Sequence, residues 1–122
     1  MGVVYYANYF VWFEVARTDL LRNAGWSYRD MEQDGYILPV ISAECAYRQA
    51  ARYDDDIDIR THGELLSPVR LRFQYEVIRT TDAVLLAQGS TTHGSVGIDG
   101  RPRRLPDRVV ALFTPGTREE GQ

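Results

Sequence analysis

The residues best able to do chemistry stand at the start of the chain, where a turn at Gly2 runs into an unusually apolar helix. Asn8 is placed to cap this helix, and Glu14 and Arg17 are its first charged residues. The first amides of a helix have no partners within it, and the helix dipole makes that end positive. The helix N-terminus can therefore polarise a carbonyl or hold an anion.

The rest of the chain must supply the elements that hold this helix in place. Gly25 ends the helix, and residues 27–35 form a short helical turn capped by Ser27. Strands follow at 37–47, 56–62, 70–78 and from 84 to about 96, and Asp107 caps a last short helix that ends near Phe113. The clearest alternation lies in 70–78, where every second residue is apolar: Leu71, Phe73, Tyr75 and Val77.

One long helix followed by at least four antiparallel strands predicts an α+β protein in a single domain, residues 1–122. The helix, from about Asn8 to Ala24, is apolar almost all round, so we expect it to be buried. The strand that begins at Ile37 is expected to be covered on both faces at its start. An antiparallel sheet curled around one central helix is the hotdog architecture.

Composition excludes several classes of protein. The net charge of −3 argues against nonspecific nucleic-acid binding, and no run approaches the ~20 apolar residues of a membrane span. With one cysteine and no secretory signal, we expect a cytoplasmic protein in which Cys45 is a buried structural thiol. All 14 basic side chains are arginines, so anions would be held by guanidinium groups or backbone amides.

The remaining reactive side chains predict neither a metal site nor a cofactor. His62 and His93 have no metal-ligand spacing around them. The segment Gly94-Ser-Val-Gly97 is one residue short of a nucleophile elbow, which argues against a serine triad. We interpret Glu14 as a structural partner of Arg17, three residues further along the helix.

The first motif carries a family resemblance: Gly2-Val-Val-Tyr-Tyr-Ala-Asn-Tyr9, followed by Phe13-Glu14-x-x-Arg17. It resembles the opening of the 4-hydroxybenzoyl-CoA thioesterase-like hotdog proteins, most of all the bacterial acyl-CoA thioesterases often encoded beside the Tol-Pal system. The similarity continues, in the family's order, through Tyr53-Asp-Asp55, Ser67-Pro-Val-Arg70, Gly89-x-x-x-His93 and Gly100-Arg-Pro-Arg-Arg-Leu-Pro106. It implies an acyl-CoA thioesterase that forms homodimers, often dimers of dimers, with active sites at the subunit interface.

The resemblance also implies roles for single residues. It gives the backbone N–H of Tyr9 as the donor that stabilises the oxyanion, which agrees with the helix dipole. Tyr6 stands where relatives often have histidine or asparagine, and it is either a hydrogen-bond donor to the substrate or a packing residue. The catalytic aspartate of the family precedes Gly2 by three residues, a position that lies before Met1. We expect a start further upstream; the alternative is a protein that lacks this carboxylate.

An acyl-CoA substrate brings an acyl chain and phosphates that the protein must hold. Residues that we expect to bind it lie in the first motif, on the helix and among the arginines: Gly2, Val3, Asn8, Trp12, Phe13, Arg70, Arg72, Arg103 and Arg104. For Asn8 the role of helix cap competes with substrate binding, and each arginine has the alternative of being a solvated surface charge.

Two other functions remain open from the sequence. A hotdog dehydratase or hydratase would use an aspartate and a histidine close together, for which Asp58 and His62 are the candidates, although the usual Asn-Pro context is missing. A hotdog protein that binds acyl groups or CoA without catalysis is the second alternative.

Overall fold

The structure is a computed structural model that describes residues 8–113. Its elements, in chain order, are α1 (Asn8–Asn23), α2 (Tyr28–Gln33), β1 (Tyr36–Ile37), β2 (Val40–Tyr47), β3 (Ile57–Ser67), β4 (Arg70–Arg79), β5 (Val84–Gly94), β6 (Val96–Gly97) and α3 (Asp107–Leu112). The four long strands, β2 to β5, form an antiparallel sheet in the order β2-β5-β4-β3. The two short strands, β1 and β6, pair with each other in a separate two-stranded sheet. This is the predicted antiparallel sheet with one long helix.

The helix α1 packs against the inner face of this sheet. Tyr9, Phe13, Arg17 and Leu21 are its buried residues, four apart, so they line one face. On β4 the alternation is as predicted, because Leu71, Phe73, Tyr75 and Val77 are all buried beneath the helix. These two rows form the centre of the core, which Trp26, Met31 and Leu86 extend.

The prediction that α1 is buried all round is wrong for the single chain. Phe10, Val11 and Val15 are exposed on the side that faces away from the sheet. Four strands cover one side of a helix, and the described residues contain no second layer on its other side. The apolar character of α1 therefore exceeds what one chain uses.

The strand predicted at 37–47 also differs from expectation. Leu38 and Pro39 interrupt it, so that β1 pairs with β6 while β2 becomes an edge of the main sheet. Val40 and Ile41 at its start are 51% and 49% exposed, rather than covered on both faces. The apolar run predicted a strand correctly but not its place at the edge.

Smaller features follow the local chemistry. Ser27 and Asp30 form a capping box at α2, and Gly25 adopts a positive φ of 92° after α1. Asp107 is the first residue of α3 rather than its cap, because Pro106 occupies that position. No helix within residues 8–113 is long and apolar enough to cross a bilayer.

The long strands define two ends of the main sheet. One, the Arg79 end, contains the end of β2, the start of β3, the end of β4 and the start of β5; the other, the Arg70 end, contains their opposite termini. A strand of ten residues such as β4 separates the two ends by about 30 Å. This distance decides which predicted site residues can meet within one chain.

Candidate functional site

The N-terminus of α1 lies at the Arg79 end and opens beside a cavity of about 330 Å³. The cavity is lined by two residues of the first helical turns and by the segment that leads into β3: Asn8, Trp12, Arg52, Tyr53, Asp55 and Ile57. As the second residue of the helix, Tyr9 has a backbone N–H with no acceptor inside the helix. The structure thus places the first helical amides beside a recess with aromatic walls.

The side chain of Tyr9 fixes this end of the helix. Its ring contacts those of Trp12 and Tyr47 edge-on, with centroids 4.9 Å and 5.0 Å away. Its hydroxyl accepts a hydrogen bond from the Ala51 amide at 3.3 Å. Burial raises the pKa of the Tyr9 hydroxyl, so this group stays protonated at neutral pH and cannot act as a base. The contribution of Tyr9 to chemistry is therefore its backbone N–H.

Phe13 is a core residue, not a wall of the cavity. Its ring stacks on Tyr75 with centroids 4.3 Å apart and lies over Gly89, where an added Cβ would come within 2.8 Å of the ring. Trp12, one residue earlier, does line the cavity. Of these two predicted acyl-binding residues, the structure brings only Trp12 to the recess.

Asp55 is a site residue that the sequence placed in a family motif but to which it gave no role. The run of three aspartates, 54–56, is typical of a solvated loop, yet the side chain of Asp55 is only 16% exposed and lines the cavity. It accepts a hydrogen bond from the Arg52 amide at 2.9 Å and lies 3.6 Å from the Arg79 guanidinium. Among the described residues it is the only carboxylate in the cavity wall, and only the return of the chain after β2 brings it there.

Glu14 lies on the exposed side of α1, one turn beyond the cavity. The expected pair with Arg17 does not form, because Arg17 is buried and donates to the hydroxyls of Tyr28 and Tyr75 instead. The backbone carbonyl of Glu14 accepts a bond from the Thr18 hydroxyl. Gly2, Val3 and Tyr6, which the sequence places at the site, lie outside the described residues.

The predicted phosphate-binding arginines lie at the Arg70 end, away from the N-terminus of α1. Arg70 begins β4, and the segment with Arg103 and Arg104 runs beside it, linked through the Ser95 carbonyl and the Pro68 carbonyl. Arg70 and Arg104 are exposed. About 30 Å of sheet separates them from the cavity of the same chain.

Arg103 and Arg72 have structural partners. The Arg103 guanidinium donates to the carbonyls of Asp34 and Gly35 at 3.0 and 2.9 Å and lies 4.1 Å from the centre of the Tyr36 ring. Arg72 lies on the outer face of the sheet, where its Nε is 2.8 Å from the Glu64 carboxylate. Both guanidinium groups therefore already have partners among the described residues of the same chain.

A larger cavity, of about 640 Å³, lies on the outer face of the sheet, and Glu44, Arg60 and Gln88 are among its lining residues. It offers charges of both signs but no helix N-terminus, so we do not assign the thioester chemistry to it. Asp58 and His62 also point outward from β3, four residues apart and therefore about 13 Å. The pair that the dehydratase alternative needs does not form.

Comparisons with known proteins fit this arrangement. The model of the thioesterase-like superfamily matches residues 1–113. The chain is 33% identical to a putative esterase of Aquifex aeolicus over 92% of its length and 85% of the relative. It is 35% identical to a putative acyl-CoA thioesterase of Bacillus subtilis, where the match covers 63% of this chain and 56% of that protein.

A solved structure extends the comparison to the fold. The DHNA-CoA thioesterase of Staphylococcus aureus superposes with a TM-score of 0.86 and 32% identity, and the match covers 100% of this chain and 85% of that one. At this identity the likeness concerns sequence as well as fold.

Proposed function

The chain belongs to the thioesterase-like superfamily, and from that premise we propose that it hydrolyses the thioester of an acyl-CoA to a free acid and CoA. The observation that carries the proposal is the N-terminus of α1 beside the cavity of Asn8, Trp12 and Asp55. A thioester carbonyl placed there would accept a hydrogen bond from the Tyr9 amide as its oxygen becomes negative. The positive end of the helix dipole stabilises the same charge.

The carboxylate that attacks or activates water is the second requirement. The family resemblance gives it a position before Gly2, outside the described residues. Asp55 lies in the cavity wall, but its carboxylate already accepts from the Arg52 amide and lies near Arg79. We therefore propose Asp55 as a wall of the substrate recess and not as the general base.

The active form in this proposal is a homodimer. Among residues 8–113, β2 pairs with β5 along one edge only, so its other edge could pair with a further strand. Exposed apolar side chains lie on β2 and on the side of α1 that faces away from the sheet: Phe10, Val11, Val15, Val40, Ile41 and Tyr47. A second copy that adds its own β2 antiparallel would cover this surface and the bare side of α1 together.

This dimer would resolve the separation of the arginines from the cavity. An antiparallel pairing of the two β2 strands sets the Arg70 end of each chain beside the Arg79 end of the other. The exposed Arg70 and Arg104 of each chain would then lie at the same end of the dimer as the cavity of its partner, where they could pair with the phosphates of a long CoA substrate. A cytoplasmic location completes the proposal, since the single thiol of the chain, Cys45, fits a reducing compartment.

The experiment compares Tyr9→Pro with Tyr9→Ala in hydrolysis of a panel of acyl-CoA thioesters, with release of free thiol as the readout. Proline fits the first turn of a helix and removes the N–H, whereas alanine keeps it. Both variants lose the ring, so their ratio isolates the amide. We expect kcat of Tyr9→Pro to be ~10²–10³ lower than that of Tyr9→Ala.

Two results would contradict the proposal. Equal kcat values for the two variants would remove the Tyr9 amide from the chemistry. Tight acyl-CoA binding without hydrolysis, in a chain extended upstream to carry the family's aspartate, would favour the alternative of a non-catalytic acyl-binding protein.

A further inference from the structure

A short turn between β2 and β3 contributes three lining residues to the cavity beside α1: Arg52, Tyr53 and Asp55. The Asp55 amide donates to the Arg52 carbonyl at 3.0 Å, and the Asp55 carboxylate accepts from the Arg52 amide at 2.9 Å. We call residues 52–55 the wall turn. Because Trp12 on α1 lines the same cavity, the position of the wall turn relative to α1 sets the width of the recess.

The chain is attached to its surroundings on both sides of the wall turn. Before it, the Ala51 amide donates to the Tyr9 hydroxyl at 3.3 Å. After it, the Asp56 carbonyl accepts from the Thr80 amide at 2.9 Å and from the Thr80 hydroxyl at 3.2 Å. The wall turn itself is joined to the sheet through the side chain of Asp55.

Arg79, the last residue of β4, makes this connection. Its Nη1 lies 3.6 Å from Asp55 Oδ2. Its Nε and Nη2 donate to the two oxygens of Asp82 at 3.0 and 2.9 Å, a bidentate arrangement that fixes the plane of the guanidinium. Asp82 Oδ1 also accepts from the Val84 amide at 3.3 Å. Arg79 therefore links the wall turn to the connection between β4 and β5.

One guanidinium thus lies between two carboxylates of unequal exposure. The hydrogen bond from Arg79 lowers the pKa of Asp82, so that this carboxyl is charged at neutral pH. The side chain of Asp82 is 46% exposed, whereas that of Asp55 is only 16% exposed. A carboxylate with little contact with water is costly unless an opposite charge lies beside it. Asp55 therefore depends on Arg79 more than Asp82 does.

Loss of the Arg79 charge would leave the Asp55 carboxylate poorly solvated and unpaired. Asp55 would then regain solvation by moving toward water. Since Asp55 closes the wall turn through the Arg52 amide, Tyr53 and the rest of the turn would move with it. The recess would widen, and the ring of Trp12 would become more accessible.

We propose that Arg79 is a positioning residue, which holds the wall turn at the recess by neutralising Asp55. Among the described residues Arg79 does not line the cavity, so it acts through Asp55 and not on a bound molecule. In the enzyme, the turn that Arg79 holds is part of the surface against which an acyl-CoA binds. This last consequence rests on the proposed function, whereas the attachment of the wall turn does not.

The fluorescence of Trp12 measures the position of the wall turn without any need for activity. The chain has two tryptophans, of which Trp26 is 1% exposed and Trp12 is half-buried in the cavity wall. Acrylamide therefore quenches mainly Trp12. We expect Arg79→Gln to raise the quenching constant of the folded chain about twofold or more. Arg60→Gln, which removes an arginine from an exposed pair with Asp58, should leave the constant unchanged.

A second substitution separates the proposed role from general stability. Asparagine at position 55 can still accept from the Arg52 amide but carries no charge, so it does not need the guanidinium. Asp55→Asn added to Arg79→Gln should therefore return the quenching constant to that of the unmodified chain. A role of Arg79 that acted only through Asp82 would not be reversed by this change. Where Arg79→Gln alone does not fold, the double variant should fold, and a double variant that stays unfolded overturns the proposal.

Hydrolysis by a chain extended upstream to carry the family's aspartate tests the consequence for the substrate. A displaced wall turn weakens the binding of substrate and transition state alike, so Arg79→Gln should raise KM about tenfold and change kcat by less than about twofold. Asp55→Asn should reverse the change in KM as well. An unchanged KM beside a raised quenching constant would overturn the role in substrate binding.

The proposal is overturned if Arg79→Gln leaves the quenching constant unaltered, or if Arg60→Gln raises it equally. Failure of Asp55→Asn to reverse the effect of Arg79→Gln overturns it as well. Because quenching needs no turnover, a chain that does not hydrolyse acyl-CoA contradicts the proposed function alone, and the two failures are told apart.

Discussion

The strands β4 and β2 belong to one sheet and are both rich in apolar residues, yet their side chains are buried to very different extents in a single chain. β4 lies between β5 and β3, and its buried and exposed residues alternate strictly from Leu71 to Val77. β2 lies at the edge, and none of its residues is fully buried. The core of one chain therefore buries the apolar side of β4 completely, whereas most residues of β2 stay exposed apart from the contacts of Cys45 and Tyr47.

This difference separates two kinds of apolar surface. Side chains under α1 stabilise the fold of the chain itself, whereas in the proposed dimer those on β2 and on the bare side of α1 would stabilise the association of two chains. A substitution on β4 or beneath it should change the free energy of unfolding at any protein concentration. A substitution on β2 should change association instead.

The largest effect is expected for Phe13→Ala, which removes the ring between Tyr75 and Gly89. The loss of burial and the cavity left behind should lower the free energy of unfolding by about 3–5 kcal/mol, measured by urea denaturation. Phe10→Ala, one turn away on the exposed side, is the matched control. Its effect should vanish on dilution, and an effect of Phe10→Ala as large as that of Phe13→Ala would abolish the distinction between the two surfaces.

Ile41→Asp should weaken self-association at least tenfold, or about 1.4 kcal/mol, because it sets a charge in the proposed apolar interface. Sedimentation velocity across a dilution series measures this shift. Ile98→Asp changes an equally apolar but more exposed residue in the turn after β6 and should leave association unaltered. An unmodified chain that stays monomeric at micromolar concentration would contradict the proposed dimer.

The smallest effect is expected on the outer face of β4. Arg72→Ala breaks the half-buried ion pair with Glu64 at 2.8 Å, and a pair at the protein surface contributes about 0–1 kcal/mol that salt weakens further. Thermal unfolding at low and high salt measures it, with Arg60→Ala, whose distance to Asp58 is 3.9 Å, as the control. A much larger loss would mean that the outer face is buried in a dimer of dimers.

Local chemistry explains which parts of the fold the sequence predicts. The alternation of β4, the Ser27 cap and the glycine after α1 depend on neighbours within a few residues, and all three are confirmed. The break at Pro39 and the position of β2 at the edge depend on which strands meet, and the apolar run predicted neither. The same holds for α1, whose apolar residues predicted burial that one chain does not supply.

The candidate site likewise contains some features that neighbouring residues predict and others that depend on contacts between distant parts of the chain. The helix N-terminus with Tyr9 and Trp12 follows from consecutive residues, and the structure places it beside a cavity. Asp55 enters that cavity only through contacts between distant parts of the chain. Arginine positions in the sequence likewise gave no sign that Arg70 and the cavity lie at opposite ends of the sheet.

The sheet order β2-β5-β4-β3 has a consequence for the path of folding. Short turns join β3 to β4 and β4 to β5, so these three strands can pair as successive hairpins, whereas β2 must find β5 across the intervening chain. Closing the longer loop costs more entropy and is slower. We expect the three-stranded meander to be formed in the transition state and β2 to join after it. The edge at which the proposed dimer would pair is then the last part of the sheet to form, so association would follow the completion of folding.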